Sequence, residues 1–427
     1  MNRTALYLML IVGGIIFIPK TALCEELSEV KAQMQKIQEE NKSLQEQLDK
    51  QRELVERLID KIEALENKDK SISQDIECLK VKEPSEEIRP IFKERLFGPK
   101  LDIRGFTDIT FKAEDDVNAG EQNPNTFALG QLDLFITSEL SDEISFLSET
   151  VIESDDENDT TLEQERLQLK YALSELMNIS IGRMHTALGF WNTEYHHSTW
   201  LHSTAFRPII HDWEDEGGII PNHFVGLIAS GKKDFDSFDF EYDLGIGNGR
   251  GKTKTNIQNV QDKNDSKAFN VRLQVAPDFM PGLKIGVSSY ADKIPANSSS
   301  AARNGEIDEL IVAGHIVYFR NNLELLTEAL HLNHDDEVSQ KDYDTLGFYL
   351  QGAYQFGKWK PYYRFDFVDY GGGDPYYTPN DIDISKHTLG IRWDPITWNS
   401  IKLEYSYSER NNASDRHGVT VRSAFTF

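Results

Sequence analysis

From about residue 99 to the end of the chain, apolar and polar residues alternate with a period of two. In SIKLEYSYSER, Ile401, Leu403, Tyr405 and Tyr407 fall on one face, and Lys402, Glu404, Ser406, Ser408 and Arg410 on the other. KWKPYYRFDF sets Trp359, Tyr363, Phe365 and Phe367 against Lys360, Tyr362, Arg364 and Asp366. FDFEYDLGIG repeats the pattern, with Asp239, Glu241 and Asp243 opposite the aromatic and aliphatic residues. Two is the strand period, because successive side chains of an extended chain point to opposite faces. The spacing places sixteen strands, at 99–113, 126–139, 144–154, 161–173, 178–187, 219–232, 238–248, 266–276, 283–293, 307–319, 323–333, 343–356, 358–368, 384–394, 400–410 and 416–427. No helix-period segment separates them, which excludes crossover α/β folds.

The connections alternate too. Short ones (LSDE, SELM, KDFDS, PDFMPG, RNN, FGK, DPITWN) take turns with long polar ones such as EDDVNAGEQNPN and NGRGKTKTNIQNVQDKND. An even number of strands of roughly ten residues, with short turns at one rim and long loops at the other, is the layout of a transmembrane β-barrel. Closure also removes the unpaired edges of so wide a sheet. The rival is a soluble β-sandwich or propeller. Against it stand charges in mid-strand on the polar face, as with Arg104 and Asp108, Arg166 and Lys170, or Glu324 and Glu328, which suit a water-filled lumen. Many Tyr, Trp and Phe near strand ends suit an interfacial girdle.

Ahead of the barrel the period changes. Residues 1–24 read as a signal peptide: Arg3, the apolar run LYLMLIVGGIIFI, then Ala22-Leu23-Cys24 before a cleavage site. A lipoprotein acylated at Cys24 is the alternative, opposed by Leu23 where a small residue is required. Residues 25–83 keep a heptad, with Leu27, Met34, Asn41, Leu48, Val55, Ile62, Asp69 and Ile76 as one seam series and Val30, Ile37, Leu44, Gln51, Leu58, Leu65, Ile72 and Leu79 as the other. So long and narrow a stripe is an α-helical coiled coil, a rod of roughly 80 Å at about 1.5 Å per residue. The heptads leave dimer and trimer open. Pro84 and Pro90 mark a linker over 84–98. Cys24 and Cys78 are the only cysteines, so neither a disulfide framework nor a cysteine zinc site is available. A net charge of −26 argues against nucleic acid as a partner, since phosphate binding needs clustered cations.

The last strand, HGVTVRSAFTF, puts Val419, Val421, Phe425 and Phe427 on the outward face and ends on Phe427. It resembles the terminal strand of Gram-negative outer-membrane proteins, in which a final Phe and alternate apolar residues, here Phe425 and Phe427, serve as the signal to the barrel assembly machinery. With the sixteen-strand layout, residues 99–427 resemble the trimeric porin superfamily. The coiled coil ahead of the barrel is similar to that of phosphate-selective O/P-type porins. The resemblance implies a homotrimer in the outer membrane, amid outer-membrane lipid and lipopolysaccharide, with the coiled coils as a periplasmic stalk that reaches towards peptidoglycan. One departure bears on selectivity: residues 99–427 hold 29 Lys plus Arg against 52 Asp plus Glu, a balance of 29 − 52 = −23, where phosphate-selective members carry rings of Arg and Lys.

One long connection stands apart. Residues 181–218 contain five of the eleven histidines and three of the six tryptophans. This is the third loop of the long-loop rim, which in porins folds into the barrel as a constriction; here it spans about 188–218. Phe190, Trp191, Trp200, Leu201, Phe206, Ile209 and Ile210 are suited to pack it against the wall. The candidate pore residues are Arg183, His185, Glu194, His196, His197, His202, Arg207, His211, Asp212, Glu214, Asp215 and Glu216, with Arg104, Asp108, Arg166, Lys170, Arg364 and Arg410 on the lumen wall. Acids on the loop facing arginines on the wall would create a transverse field at the narrowest point. A metal site from His196, His197, His202 and His211 is a weaker reading, because adjacent histidines point apart in extended chain and no spacing matches a zinc helix. Catalysis by His211–Asp212 with Ser198 or Ser203 lacks a nucleophile elbow, so neither an enzyme nor a cofactor is expected. The remaining readings are packed polar histidines and pH-dependent gating, since imidazole titrates near pH 6.5. The expected function is passive diffusion of small hydrophilic solutes or ions. A structural tether built on the coiled coil, and an uptake channel dedicated to an anion or dicarboxylate, are the alternatives.

Overall fold

In the computed structural model the described residues are 99–116, 125–154, 159–195, 199–213, 218–253, 261–297, 305–377, 382–411 and 413–427. The expected signal peptide, coiled coil and linker lie outside them. Within the unit Gly98–Phe427, extended segments follow one another in antiparallel pairs. Strand β1 (Leu101–Asp116) pairs with both Thr126–Leu129 and Leu132–Glu139. These two segments are one strand, β2, broken where the amide of Gly130 donates to the Asp108 carbonyl at 2.8 Å. A side chain at Gly130 would strike the Asp108 carboxylate, 2.3 Å away.

Then come β3 (Ile144–Ser154), β4 (Thr160–Ser174), β5 (Met177–His185), β6 (His223–Phe235), β7 (Phe238–Gly247) and β8 (Ala268–Pro277). They are followed by β9 (Leu283–Ile294), β10 (Ile307–Arg320), β11 (Leu323–Asp336) and β12 (Lys341–Tyr354). The last four are β13 (Trp359–Tyr370), β14 (Ile384–Ile396), β15 (Asn399–Arg410) and β16 (Arg416–Thr426). Strand β16 pairs back onto β1 from Phe106↔Thr426 to Asp116↔Arg416, so the sheet closes as a sixteen-stranded antiparallel barrel. At the seam Gly105 and Phe427 exchange backbone hydrogen bonds of 3.0 and 3.1 Å.

Local chemistry sets the turns. Asn321 and Asn322, both at positive φ (52° and 67°), join β10 to β11 in the two-residue turn that matches strand twist. Along β10, Ile307, Glu309, Ile311, Ala313, His315 and Val317 are buried, while Asp308, Leu310, Val312 and Ile316 are exposed. The outer face is apolar right round, with Leu167, Ile181, Leu227, Val271, Val287, Val312, Leu350, Leu389 and Leu403 all exposed. Exposed Phe279, Phe356, Trp359 and Trp398 ring the short-turn rim, as expected where an apolar wall meets a polar interface. No described helix is long and apolar enough to cross a membrane.

Two details differ from the sequence reading. Strand β6 begins at His223, because Ile219 and Ile220 are buried in a core within the barrel and belong to the preceding loop. Strand β4 carries a bulge opposite Glu149/Thr150, which inserts Glu165 into the ladder.

Candidate constriction site

Between β5 and β6 the described residues, 186–195, 199–213 and 218–222, are folded into the barrel. They include a short helix, α1 (Trp191–Glu194), and a 3-10 turn (Ile209–His211). Gly189 starts the inward path at φ 68°, where a side chain would meet the Glu328 carboxylate at 2.1 Å. Beyond it, Leu188, Phe190, Trp191, Ile210, Ile219 and Ile220 pack against Ile311, Val317, Leu326, Leu330, Leu332, Tyr349 and Val368 of β10–β13. Each such side chain contributes about 1.5–3 kcal/mol by leaving water. This part of the lumen is therefore a dry core.

Within that core the buried carboxylate of Glu328 holds α1. It accepts from the amides of Phe190 (2.6 Å) and Trp191 (2.8 Å), from the Tyr349 hydroxyl (2.8 Å), and lies 3.1 Å from His211 Nε2. Farther along, the loop's carbonyls face cations. Arg364 donates to the carbonyls of Phe206 (2.8 Å) and Arg207 (2.9 Å) and to the Thr204 hydroxyl (2.9 Å). Arg392 donates to the carbonyls of Trp200, Leu201 and His202 at 2.9–3.3 Å. Lys402 bonds the carbonyls of Thr199 and Thr204, and Arg422 that of Ala205. Amide and hydroxyl donors of the loop turn instead to wall carboxylates: Ala205 N to Glu404 (2.6 Å), Ile209 N to Asp366 (3.1 Å) and Ser203 Oγ to Glu324 (2.8 Å).

Register explains the cations. Lys360, Arg392, Lys402 and Arg422 stand directly opposite one another on β13, β14, β15 and β16. Like charges so placed repel. Carboxylates pair with three of the four, Lys360 with Glu324 (3.1 Å), Arg392 with Asp394 (2.7 Å) and Arg422 with Asp108 (3.2 Å). The loop carbonyls bonded to Arg392, Lys402 and Arg422 tie loop to wall.

The sequence-nominated residues separate into groups. Arg364 is buried on the wall and bonded as above. Asp108 is buried, accepts from Thr110 (3.1 Å) and Thr199 (3.3 Å), and forms an ion pair with Arg422 at 3.2 Å. Arg166 pairs with buried Glu149, and His185 lies 3.7 Å from the same carboxylate. Arg183 is buried and donates to the Glu165 carbonyl at 3.0 Å. Arg410 sits at the loop rim, 3.3 Å from Asp116. Lys170 is half-buried, and Arg104 is exposed nearer the short-turn rim. On the loop, Glu194 is exposed. Arg207 lies over the Trp213 ring at 3.4 Å, and the Asp212 carbonyl accepts from Asn222 at 3.2 Å. His196, His197, Glu214, Asp215 and Glu216 lie outside the described residues.

Both described loop histidines are buried, His202 also bordering a cavity on the long-loop side. His202 is buried against Trp191, with ring centroids 4.9 Å apart. Burial, and then the charges of Lys402, Arg422, Arg364 and Arg392, hold its pKa well below the ordinary imidazole range. His211 is buried beside Glu328. Leu201, expected to pack against the wall, is exposed, whereas Trp200 stacks on Phe106 of β1. The transverse field expected between wall arginines and loop carboxylates takes a different form in Arg364: its partners are loop carbonyls and the neighbouring Asp366, at 2.8 Å. Arg392, Lys402, Arg422 and Glu328 were not singled out as site residues by the sequence. Alternation puts each on the polar face, but only the strand register sets them in a row. Among the described residues no group of three or more His, Cys, Asp or Glu side chains is placed to hold a metal ion.

The described residues thus form a closed antiparallel barrel with an apolar outside, a charged inside and one loop docked in its lumen. Solved structures agree. The outer membrane channel DcaP of Acinetobacter baumannii superposes with a TM-score of 0.56 at 10% identity, covering 78% of this chain and 98% of that one. OmpF of Salmonella typhi gives 0.51 at 14% identity, covering 77% and 98%. OprB of Pseudomonas putida gives 0.51 at 11% identity, covering 79% and 96%. No protein-family model matches the sequence, and no curated protein does. At such identities the likeness is one of fold.

Proposed function

We propose that this chain is an outer-membrane porin, through which small hydrophilic solutes or ions diffuse down their gradients. The observation that carries the reading is the inward docking of residues 186–195, 199–213 and 218–222 within a closed barrel. A barrel sixteen strands wide would otherwise hold an unselective aqueous hole, and the docked loop narrows it. Lipid on the outside accounts for an apolar face that water would not tolerate. Assembly as a homotrimer with a periplasmic coiled-coil stalk completes the proposal, on the strength of the heptads and of the resemblance of the barrel to trimeric porins.

Single-channel recording of the purified full chain in planar bilayers tests it. Expected are discrete conductance steps, grouped in threes for a trimer, and a reversal potential in a salt gradient that shows mild cation preference from the −23 balance of residues 99–427. Detergent-solubilised, heat-modifiable protein that never conducts would overturn the channel reading.

A further inference from the structure

On the long-loop side of the docked segment lies a cavity of about 540 Å³, walled by β1–β3 and β14–β16 and floored by residues 199–213. Its charge departs from that of the barrel. Lys112, Arg207, Lys386, Arg416 and Arg422 line it against Asp108, Glu114, Glu153 and Asp212, five cations to four acids. Three of those cations converge on one ring. From the Phe206 centroid, the Arg422 guanidinium is 4.3 Å away, the Lys112 ammonium 5.7 Å and the Lys386 ammonium 5.9 Å. They come from β16, β1 and β14, so barrel closure brings them together.

Their charges are not equally engaged. Arg422 is held by Asp108 at 3.2 Å and Lys112 by Glu114 at 2.8 Å. Lys386 has only the ring: among the described residues it makes neither a hydrogen bond nor an ion pair, and it is half-buried. Its cross-strand neighbour Asp366 is taken by Arg364 at 2.8 Å and by the Ile209 amide at 3.1 Å. This ammonium, beside two other cations at the edge of the cavity, therefore has no carboxylate within ion-pair distance among the described residues. Phe206 and Trp213 supply flat apolar surface in the same cavity, Trp213 already carrying the Arg207 guanidinium.

We propose that this cavity, in a channel of the kind argued above, is a binding site for small organic carboxylates with an apolar or aromatic body. The carboxylate takes Lys386 as its partner, and the body lies along Phe206. Inorganic phosphate fits less well. It wants several convergent N–H donors, ideally a guanidinium fork, and here Arg422 is already committed to Asp108, Thr110 and the Ala205 carbonyl.

The test uses the reconstituted full chain in KCl, with benzoate, cyclohexanecarboxylate or inorganic phosphate added at millimolar levels. Either carboxylate should block the current in a saturable manner, and phosphate should not. Lys386→Gln should raise the half-blocking concentration about tenfold, the equivalent of one lost charge-assisted hydrogen bond, and Lys386→Arg should restore most of it. Phe206→Ala should raise the half-blocking concentration of both carboxylates, measured against that variant's own current in KCl. Equal block by phosphate, or block unchanged in Lys386→Gln, overturns the proposal. A chain that never conducts fails the porin reading instead. Benzoate titrated calorimetrically into detergent-folded protein then still decides the site, since binding there needs no current.

Discussion

At the scale of single residues, the buried imidazole of His202 ties the loop to pH. Undocked, it titrates as ordinary histidine near 6.5; docked, burial and four neighbouring cations keep it neutral well below that. The undocked state therefore binds more protons as pH falls, and docking is lost in the acid direction. Above about pH 6.5 both states are neutral and the residue contributes no pH dependence. Below it, docking weakens by up to about 1.4 kcal/mol per pH unit until the docked form titrates as well. Unfolding free energy measured at pH 7.5 and 5.5 should thus fall on acidification. The fall should be smaller in His202→Gln by about 1 kcal/mol. Identical pH slopes in the two proteins would remove His202 from the account.

At the scale of the element, the loop depends on few anchors. Glu328 accepts or faces four donors at once. In Glu328→Gln an amide NH2 must confront backbone N–H groups where an acceptor stood. The expected loss is about 3 kcal/mol of unfolding free energy, as for other broken buried networks. Single-channel current should become noisier as α1 loosens. A loss under about 0.5 kcal/mol would show that the apolar contacts alone suffice. The same loop marks how far sequence carries. The strands were legible because alternation needs no knowledge of partners: the polar face of KWKPYYRFDF is the buried, bonded face of β13. Inward docking was legible from Phe190, Trp191 and Ile210, which no solvated loop requires. The cationic row was not. Arg392, Lys402 and Arg422 lie ten and twenty residues apart, and their adjacency is a property of register that no local pattern encodes. Nor was the burial of His202 and His211, since a histidine-rich loop reads as polar until its carbonyls and rings find partners.

For the whole molecule, everything rests on one seam. Gly105 and Phe427 close the ladder between the first strand and the last, and the Phe427 ring lies where a Gly105 side chain would go, 2.5 Å from its Cβ position. Gly105→Val should displace the ring and open the hydrogen-bonded edge. The yield of heat-modifiable barrel should fall several-fold, while Thr107→Val, two residues along β1, should fold normally. Equal yields would place the closing contact elsewhere in β16.

The dry packing of Trp191, Ile210 and Ile219 against β10–β12 also gives the docked loop a thermometer. Association of apolar surfaces out of water weakens on cooling, because it is driven by hydration entropy and carries a large heat-capacity change. If the barrel conducts as proposed, chilled membranes should therefore carry a leakier population than warm ones, the reverse of what viscosity alone would impose on ion flow.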